Sequence, residues 1–375
     1  MDADLERVYD LVTQAGCAED VFGGLAGPRP ALETLAERFK ELKKVVNLEV
    51  YPYQDSDDVE AAKEVNQLLD KFYQKAQALL AGDFYAKRDH MRSPRSSREP
   101  SFKTDKFHYY LGEPIAHGTI STVFDAECAE ENEFLGRVAI KIADQPEDNE
   151  LLWRERRVLK MLFEKNGPQL KHLPIILDHF KTEDGRICLV FRCLSECCNF
   201  YNLREDYKNG VDRKHMVWML NRALSAIGYA HSLGVVHGNL DPSHLMIRPK
   251  DHNLFIVDWC WSIVDPVRTH DRFRVFTEYF SAPEVQENFI PTPAADLYSL
   301  GKCMIYILGG NVETNEMPDS VESDLQRFIK YFVMESPQQR AQDAWQMHGQ
   351  LESLVRRLWG KKRFLALEVK PEFLV

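Results

Sequence analysis

Four short patterns stand in a fixed order along the chain and constrain its fold more than any other feature: VAIK at 138–141, HGNLDPSH at 237–244, DWC at 258–260 and APE at 282–284. VAIK reads as an alternating strand that ends on Lys141. The segment NELLWRERRVLKML follows, with Glu155, Leu159 and Leu162 near one face of a helix, so that Glu155 can reach Lys141. ICLVFRCL is a further strand, and LFIVDWC brings Asp258 to the end of another apolar run. Strand-like and helical segments alternate from residue 107 to the end, without an internal repeat.

This order of motifs resembles the eukaryotic-type protein kinase family over essentially all of the chain from residue 107. The resemblance implies an α+β, bilobal fold, with the small lobe and hinge at 107–194 and the large lobe and tail at 195–375. It further implies that ATP is the cofactor, with Lys141 on its α and β phosphates and Glu155 holding Lys141 in place. Asp258 would bind the metal, Mg or Mn, that bridges the β and γ phosphates. Phe191 would lie near the back of the adenine pocket and Cys193 in the hinge, with Gly118 and Val123 contributed by the loop and strand IAHGTISTVFDA. Of the three glycines the family uses in that loop only Gly118 is present, Ala116 and Ser121 standing at the other two places. Glycine lets backbone N–H groups approach phosphate closely, so this loop holds phosphates less tightly or takes another shape. Glu284 is expected to pair with Arg340, and Asp296 to brace the catalytic loop.

The loop itself departs from the family. His-Arg-Asp-Leu-Lys-Pro-x-Asn maps onto His237, Gly238, Asn239, Leu240, Asp241, Pro242, Ser243 and His244. The family's aspartate accepts the substrate hydroxyl proton, and the amide of Asn239 is not basic near neutral pH. Asp241 replaces a lysine that steadies the γ phosphate, which reverses the charge there. His244 stands where an asparagine oxygen binds the second metal, and imidazole suits Mn²⁺ better than Mg²⁺. Gly238 removes the arginine that would receive a phosphate on Thr269 or Thr277.

Two readings follow. In one the domain is a pseudokinase that binds nucleotide through Lys141, Glu155 and Asp258 and acts as a scaffold or allosteric partner. In the other it is an active, atypical serine/threonine kinase in which Asp241 serves as substitute base or metal ligand; Thr277 in FTEYFSAPE matches the threonine of that class.

Residues 1–88 read as helical, with apolar stripes in LERVYDLV, LETLAERFKELKKVV and VEAAKEVNQLLDKFYQKAQALLAG. That order is similar to a J-domain, the helical module of DnaJ-type co-chaperones, and gives a third reading as a co-chaperone-like adaptor. The family's His-Pro-Asp tripeptide is replaced by Asn47, Leu48 and Glu49, so stimulation of a DnaK-type chaperone is not expected. Residues 89–106 are polar, basic and proline-containing, and read as a linker with Ser93, Ser96 and Ser97 as candidate phosphorylation sites. The tail carries Arg356, Arg357, Lys361, Lys362 and Arg363 before an apolar end, suited to a partner, an anionic surface, the N-terminal helices, or packing on the chain's own lobe. A net charge of −11 argues against a broad nucleic-acid-binding or membrane-binding face, and the kinase resemblance implies a protein partner or protein substrate. The acidic N-terminus and the lack of a long apolar run point to a cytoplasmic chain without a membrane span. CLSECC could hold a metal or a redox pair, but adjacent cysteines without nearby histidines read as packed thiols.

Overall fold

The computed structural model describes residues 3–13, 15, 21–22, 32–46, 56–80, 100–105, 107–130, 133–165, 167–360 and 365–374. The N-terminal part contains helices α1 (Ala3–Thr13), α2 (Leu32–Val46) and α3 (Ser56–Leu80). Their stripes meet in one core, with Leu5, Val8 and Val12 of α1, Leu35, Leu42 and Val46 of α2, and Ala62, Val65, Leu69 and Phe72 of α3. Phe39 stacks on Tyr73 at 3.8 Å, and Lys43 pairs with Asp70 at 2.7 Å. Asn47, Leu48 and Glu49 lie outside the described residues, as do Ser93, Ser96 and Ser97.

An antiparallel sheet follows. Its strands are β1 (Ser101–Lys103), β2 (His108–His117), β3 (Ser121–Glu130), β4 (Glu133–Ala143), β5 (Ile176–Lys181) and β6 (Ile187–Arg192), in the order β1-β2-β3-β4-β6-β5. The sheet thus starts at Ser101, inside the stretch expected to be linker, because Phe102 packs on Phe180 at 5.2 Å and pairs in register with Tyr109. Alternation decides what each face carries. Val138, Ile140 and Ile142 join Cys188 and Val190 in a core on one face. Ala143, Leu189 and Phe191 belong to the main core on the other, the face toward which Lys141 projects. Helix α4 (Asn149–Glu164) covers that second face and buries Leu152, Glu155, Leu159 and Leu162 at helical spacing. Asn149 anchors it to the sheet, accepting from Ile187 N at 2.7 Å and donating to Gly185 O at 2.9 Å.

The larger lobe is mainly helical. Short strand β7 (Cys198–Asn199) leads into α5 (Phe200–Asp206), and α6 (Arg213–Ser232) starts where Asp212 caps Lys214 N at 2.8 Å. Strands β8 (Val235–Val236), β9 (Leu245–Arg248), β10 (Asn253–Ile256) and β11 (Ile263–Val264) carry the loops of interest, β11 pairing with β8 and β9 with β10. Helices α7 (Pro266–Thr269), α8 (Pro283–Gln286), α9 (Pro293–Ile307), α10 (Ser323–Phe332) and α11 (Ala344–Trp359) complete the lobe. Glu284 and Arg340 pair at 2.6 Å, both buried, and fix the start of α8 to the loop before α11. The described part of the tail, 365–374, lies on its own lobe: Leu367 is buried, Tyr207 Oη donates to Glu368 O, and Lys370 pairs with Asp206 at 2.9 Å. Cys193, Cys197 and Cys198 are buried free thiols, and burial pushes Cys198 up to about 12. No helix among the described residues is long and apolar enough to cross a membrane.

His172 ties the two lobes' junction together. It is buried, and its Nδ1–H donates to Leu254 O at 3.0 Å. Burial, with Lys171 and Arg222 nearby, lowers its pKa from 6.5 to about 3. Between those values the unfolded chain binds the proton and the folded chain does not, so this ring's contribution is complete above the unfolded value and declines as pH falls through that window. The slope is about 1.4 kcal/mol per pH unit. The urea midpoint of the wild type is therefore expected to fall from pH 7 to pH 5, and to fall less for His172→Asn; equal losses in the two proteins would sink this assignment.

Candidate functional site

The period of β4 and the stripe of α4 bring Lys141 and Glu155 together without any special loop. Lys141 Nζ donates to Glu155 Oε2 at 2.7 Å and to Asp258 Oδ1 at 2.5 Å. Burial disfavours the ammonium, but Asp258 and Glu155 outweigh it and hold the Lys141 pKa well above the usual lysine value. Burial likewise works against the Asp258 carboxylate, and Lys141 and His244 overcome it, keeping Asp258 below the usual carboxylate range.

Asp258 takes the left-handed conformation, φ 64° and ψ 59°, which an aspartate tolerates better than most residues. The next residue secures that turn. Trp259 is fully buried, its backbone N–H donates to Glu155 Oε1 at 3.1 Å, and its Nε1–H donates to Ile256 O at 2.7 Å. Its ring meets His237 edge to face at 4.7 Å, and His237 in turn contacts Val257 O at 3.0 Å. Tryptophan therefore fills an apolar slot and adds a polar anchor, and Glu155 holds both the lysine and the turn. Cys260 donates from Sγ to Asp258 Oδ1 at 3.1 Å, and burial raises this thiol well above its ordinary value.

The loop between β8 and β9 is braced from α9. Asp296, buried, accepts from His237 N at 2.7 Å, from Gly238 N at 2.9 Å and from His231 Nε2 at 2.8 Å. Gly238 has φ 77°, and a Cβ there would lie 3.2 Å from Trp261 O, so glycine suits both the turn and the close approach. Asn239 accepts from Thr277 Oγ1 at 3.3 Å through Oδ1. Asp241 spends Oδ1 on a local turn, accepting from Ser243 N at 2.7 Å and Ser243 Oγ at 2.5 Å. His244 lies between the two loops: Nδ1 is 2.7 Å from Asn239 O and 3.4 Å from Asp241 Oδ1, and Nε2 is 3.3 Å from Asp258 Oδ2.

Of the residues singled out from sequence, Lys141, Glu155, Asp258, His244, Asp241 and Asn239 are connected through these contacts. Val123 is in register with Lys141 across β3 and β4. Phe191 belongs to the face that Lys141 serves, and Cys193 follows directly on β6. Gly118 is at the exposed turn between β2 and β3, where its N–H donates to Ser121 O at 2.9 Å. That amide is used within the hairpin. The contacts of Trp259 with Glu155 and of Cys260 with Asp258 have no period behind them in the sequence; their one signal is the unusual Trp-Cys pair after Asp258.

The donor set fits a nucleotide in part. Lys141 supplies a cation suited to phosphate oxygens, and Asp258 a hard carboxylate suited to Mg²⁺ or Mn²⁺. His244 does not fit as a second Mg²⁺ ligand, because it offers nitrogen and both its nitrogens already face oxygen atoms. Glu155, Asp258 and Cys260 bring ligand atoms within 4.8 Å of one another. Lys141 already bonds both carboxylates, and the thiol of that trio is held protonated.

A family model described as protein kinase domain matches residues 109–364. Similar proteins include Probable serine/threonine-protein kinase FMP48 of Saccharomyces cerevisiae, 26% identical over 222 residues that cover 52% of this chain and 58% of that protein. Casein kinase II subunit alpha' of the same yeast is 26% identical over 200 residues, 53% of this chain and 55% of that one. Serine/threonine-protein kinase B of Synechocystis sp. is 28% identical over 226 residues, 52% of this chain and 38% of its own. The chain spans about half the length of the curated relatives it matches.

Replacing Lys141 with methionine leaves two adjacent carboxyl groups without their cation. Loss of one partner from a buried pair costs about 3–5 kcal/mol. Urea denaturation at pH 7 should show a loss of that order for Lys141→Met and a much smaller one for Lys141→Arg. A methionine variant as stable as the wild type would show that the ion pairs are not what holds the site.

Proposed function

The chain belongs to the protein kinase family, and from that membership we propose that it is a nucleotide-binding pseudokinase, a scaffold or allosteric regulator of a protein partner. The observation that carries this reading is the contrast between the two halves of the site. The half that would hold ATP keeps Lys141 bonded to Glu155 and Asp258. The half that would move a proton has an amide at Asn239, already accepting from Thr277, and a carboxylate at Asp241 engaged by Ser243. Loss of a positioned general base costs roughly 10²- to 10⁴-fold in rate.

ATP, when bound, supplies a polyphosphate whose charge Lys141 counters; the chain's own contribution is to hold that lysine and Asp258 in place through Glu155 and Trp259. A protein whose two lobes meet at such a network can report nucleotide occupancy to a partner through lobe closure. A second reading retains phosphotransfer with Asp241 as base, and its motive is the 3.4 Å approach of Asp241 to His244, which itself touches Asp258.

ATP should raise the melting temperature of the purified protein, since a ligand of the native state stabilises it by mass action. The shift should vanish in Lys141→Ala and Asp258→Asn variants that circular dichroism shows to be folded. Labelled phosphate should not appear on the chain or on general protein substrates with Mg²⁺ or Mn²⁺ above the Asp258→Asn background. Transfer by the wild type that is abolished in Asp241→Asn would establish the second reading instead; no thermal shift would remove nucleotide from the function altogether.

A further inference from the structure

A cavity of about 510 Å³ opens where the end of α6, strand β8, helix α7 and the start of α9 meet. That is ample room for a small organic molecule. The walls are mainly apolar, formed by Val235, Val236 and Val267 with Pro266, Pro291 and Pro293. The prolines have no N–H to offer, and the two valines of β8 pair with Val264 and Ile263 of β11. Asp265 and Arg268, which also line the cavity, pair with each other at 3.2 Å.

His231 lines the same cavity and is the exception. Its side chain is 7% exposed, and Nε2 lies 2.8 Å from Asp296 Oδ2, but Nδ1 is buried without a hydrogen-bond partner. Among the described residues that line the cavity, no other buried side-chain nitrogen or oxygen is left so. A buried polar atom without a partner is costly, and folded proteins satisfy nearly all of them. An apolar chamber with one unmet polar atom on a lining ring has the make-up of a ligand site, and its charged groups are already paired.

We propose that this cavity binds a small apolar alcohol or phenol whose hydroxyl bonds Nδ1 of His231. A hydroxyl both donates and accepts, so it satisfies that nitrogen whether or not the nitrogen carries a proton. The body of the ligand covers the valines and prolines and removes their apolar surface from water. The site is separate from the cleft around Lys141, yet its ring is tied to the loop before β9. Asp296 Oδ2, which faces His231, also accepts from His237 N at 2.7 Å. An occupant is therefore one ring and one carboxylate away from that loop.

The test is equilibrium dialysis of the full chain against 2-naphthol and against 2-methylnaphthalene, which keeps the shape and has a methyl in place of the hydroxyl. The naphthol is expected to bind more tightly by about tenfold, the order of one hydrogen bond to a buried group, although it is the less apolar of the two. In a methyl-labelled full chain, nuclear Overhauser contacts from its ring should reach the methyls of Val236 and Val267. A folded His231→Phe variant should lose the preference for the naphthol and still take up the hydrocarbon. Where that variant does not fold, the wild-type ratio and contacts decide. Equal binding of the two compounds, binding of neither, or naphthol contacts confined to other methyls would each overturn the inference. A preference that persists in folded His231→Phe would overturn the role given to this ring.

Discussion

One ammonium group, on Lys141, holds the two lobes in register. It comes from the sheet of the smaller lobe, meets Glu155 on the helix packed against that sheet, and reaches Asp258 at the end of a strand in the larger lobe. Three buried or nearly buried charges in contact are expensive to assemble, and each is worth keeping only if the other two are present. Glu155 therefore cannot rotate away from Lys141 without exposing Lys141 to a deficit of negative charge, and it cannot leave Trp259 N without orphaning a buried amide. Helix α4, strand β4 and the turn after β10 are coupled by that shared cost.

The loop that carries Asn239 is held by a different device. Asp296 spends its two oxygens on His231 and on the amides of His237 and Gly238. Burial opposes ionisation of Asp296, and the His231 hydrogen bond and the loop amide outweigh it, keeping its pKa below the ordinary value. The brace acts on the backbone amides of His237 and Gly238, so beyond the glycine that the turn itself favours it places no demand on the side chains that follow. The path of the loop from β8 to β9 is thus set by backbone contacts and by glycine at 238, whichever side chains stand at Asn239, Asp241 and His244. The shape of the site and its chemistry are specified separately.

This separation also explains what could be seen before any coordinates. Lys141, Glu155 and Asp258 were legible because the order of motifs resembles the protein kinase family, and the periods of 2 for β4 and 3.6 for α4 agree with the first two pointing at one another. The three N-terminal stripes were legible from the helical period, and Leu42, Val65 and Leu69 lie in the core as their spacing requires. The start of the sheet at Ser101 was not, since three residues of strand in a polar context have no period to read. Nor was the double engagement of His244. Its partners are the carbonyl of a residue five positions back and a carboxylate fourteen positions on, and neither distance repeats with helix or strand geometry.

A site whose charges are balanced by its own side chains behaves differently from one that waits for metal and nucleotide to balance it. In the latter, repulsion among carboxylates makes the empty state unfavourable, and binding relieves it. Here Lys141 already pairs with Asp258, and the turn after it is anchored by Trp259. The contacts of Lys141 with Glu155 and Asp258 are thus made by the chain's own groups. A ligand entering the cleft must compete with existing ion pairs, so its differential affinity for two arrangements of the lobes, which is all that can shift their populations, is reduced by what it displaces.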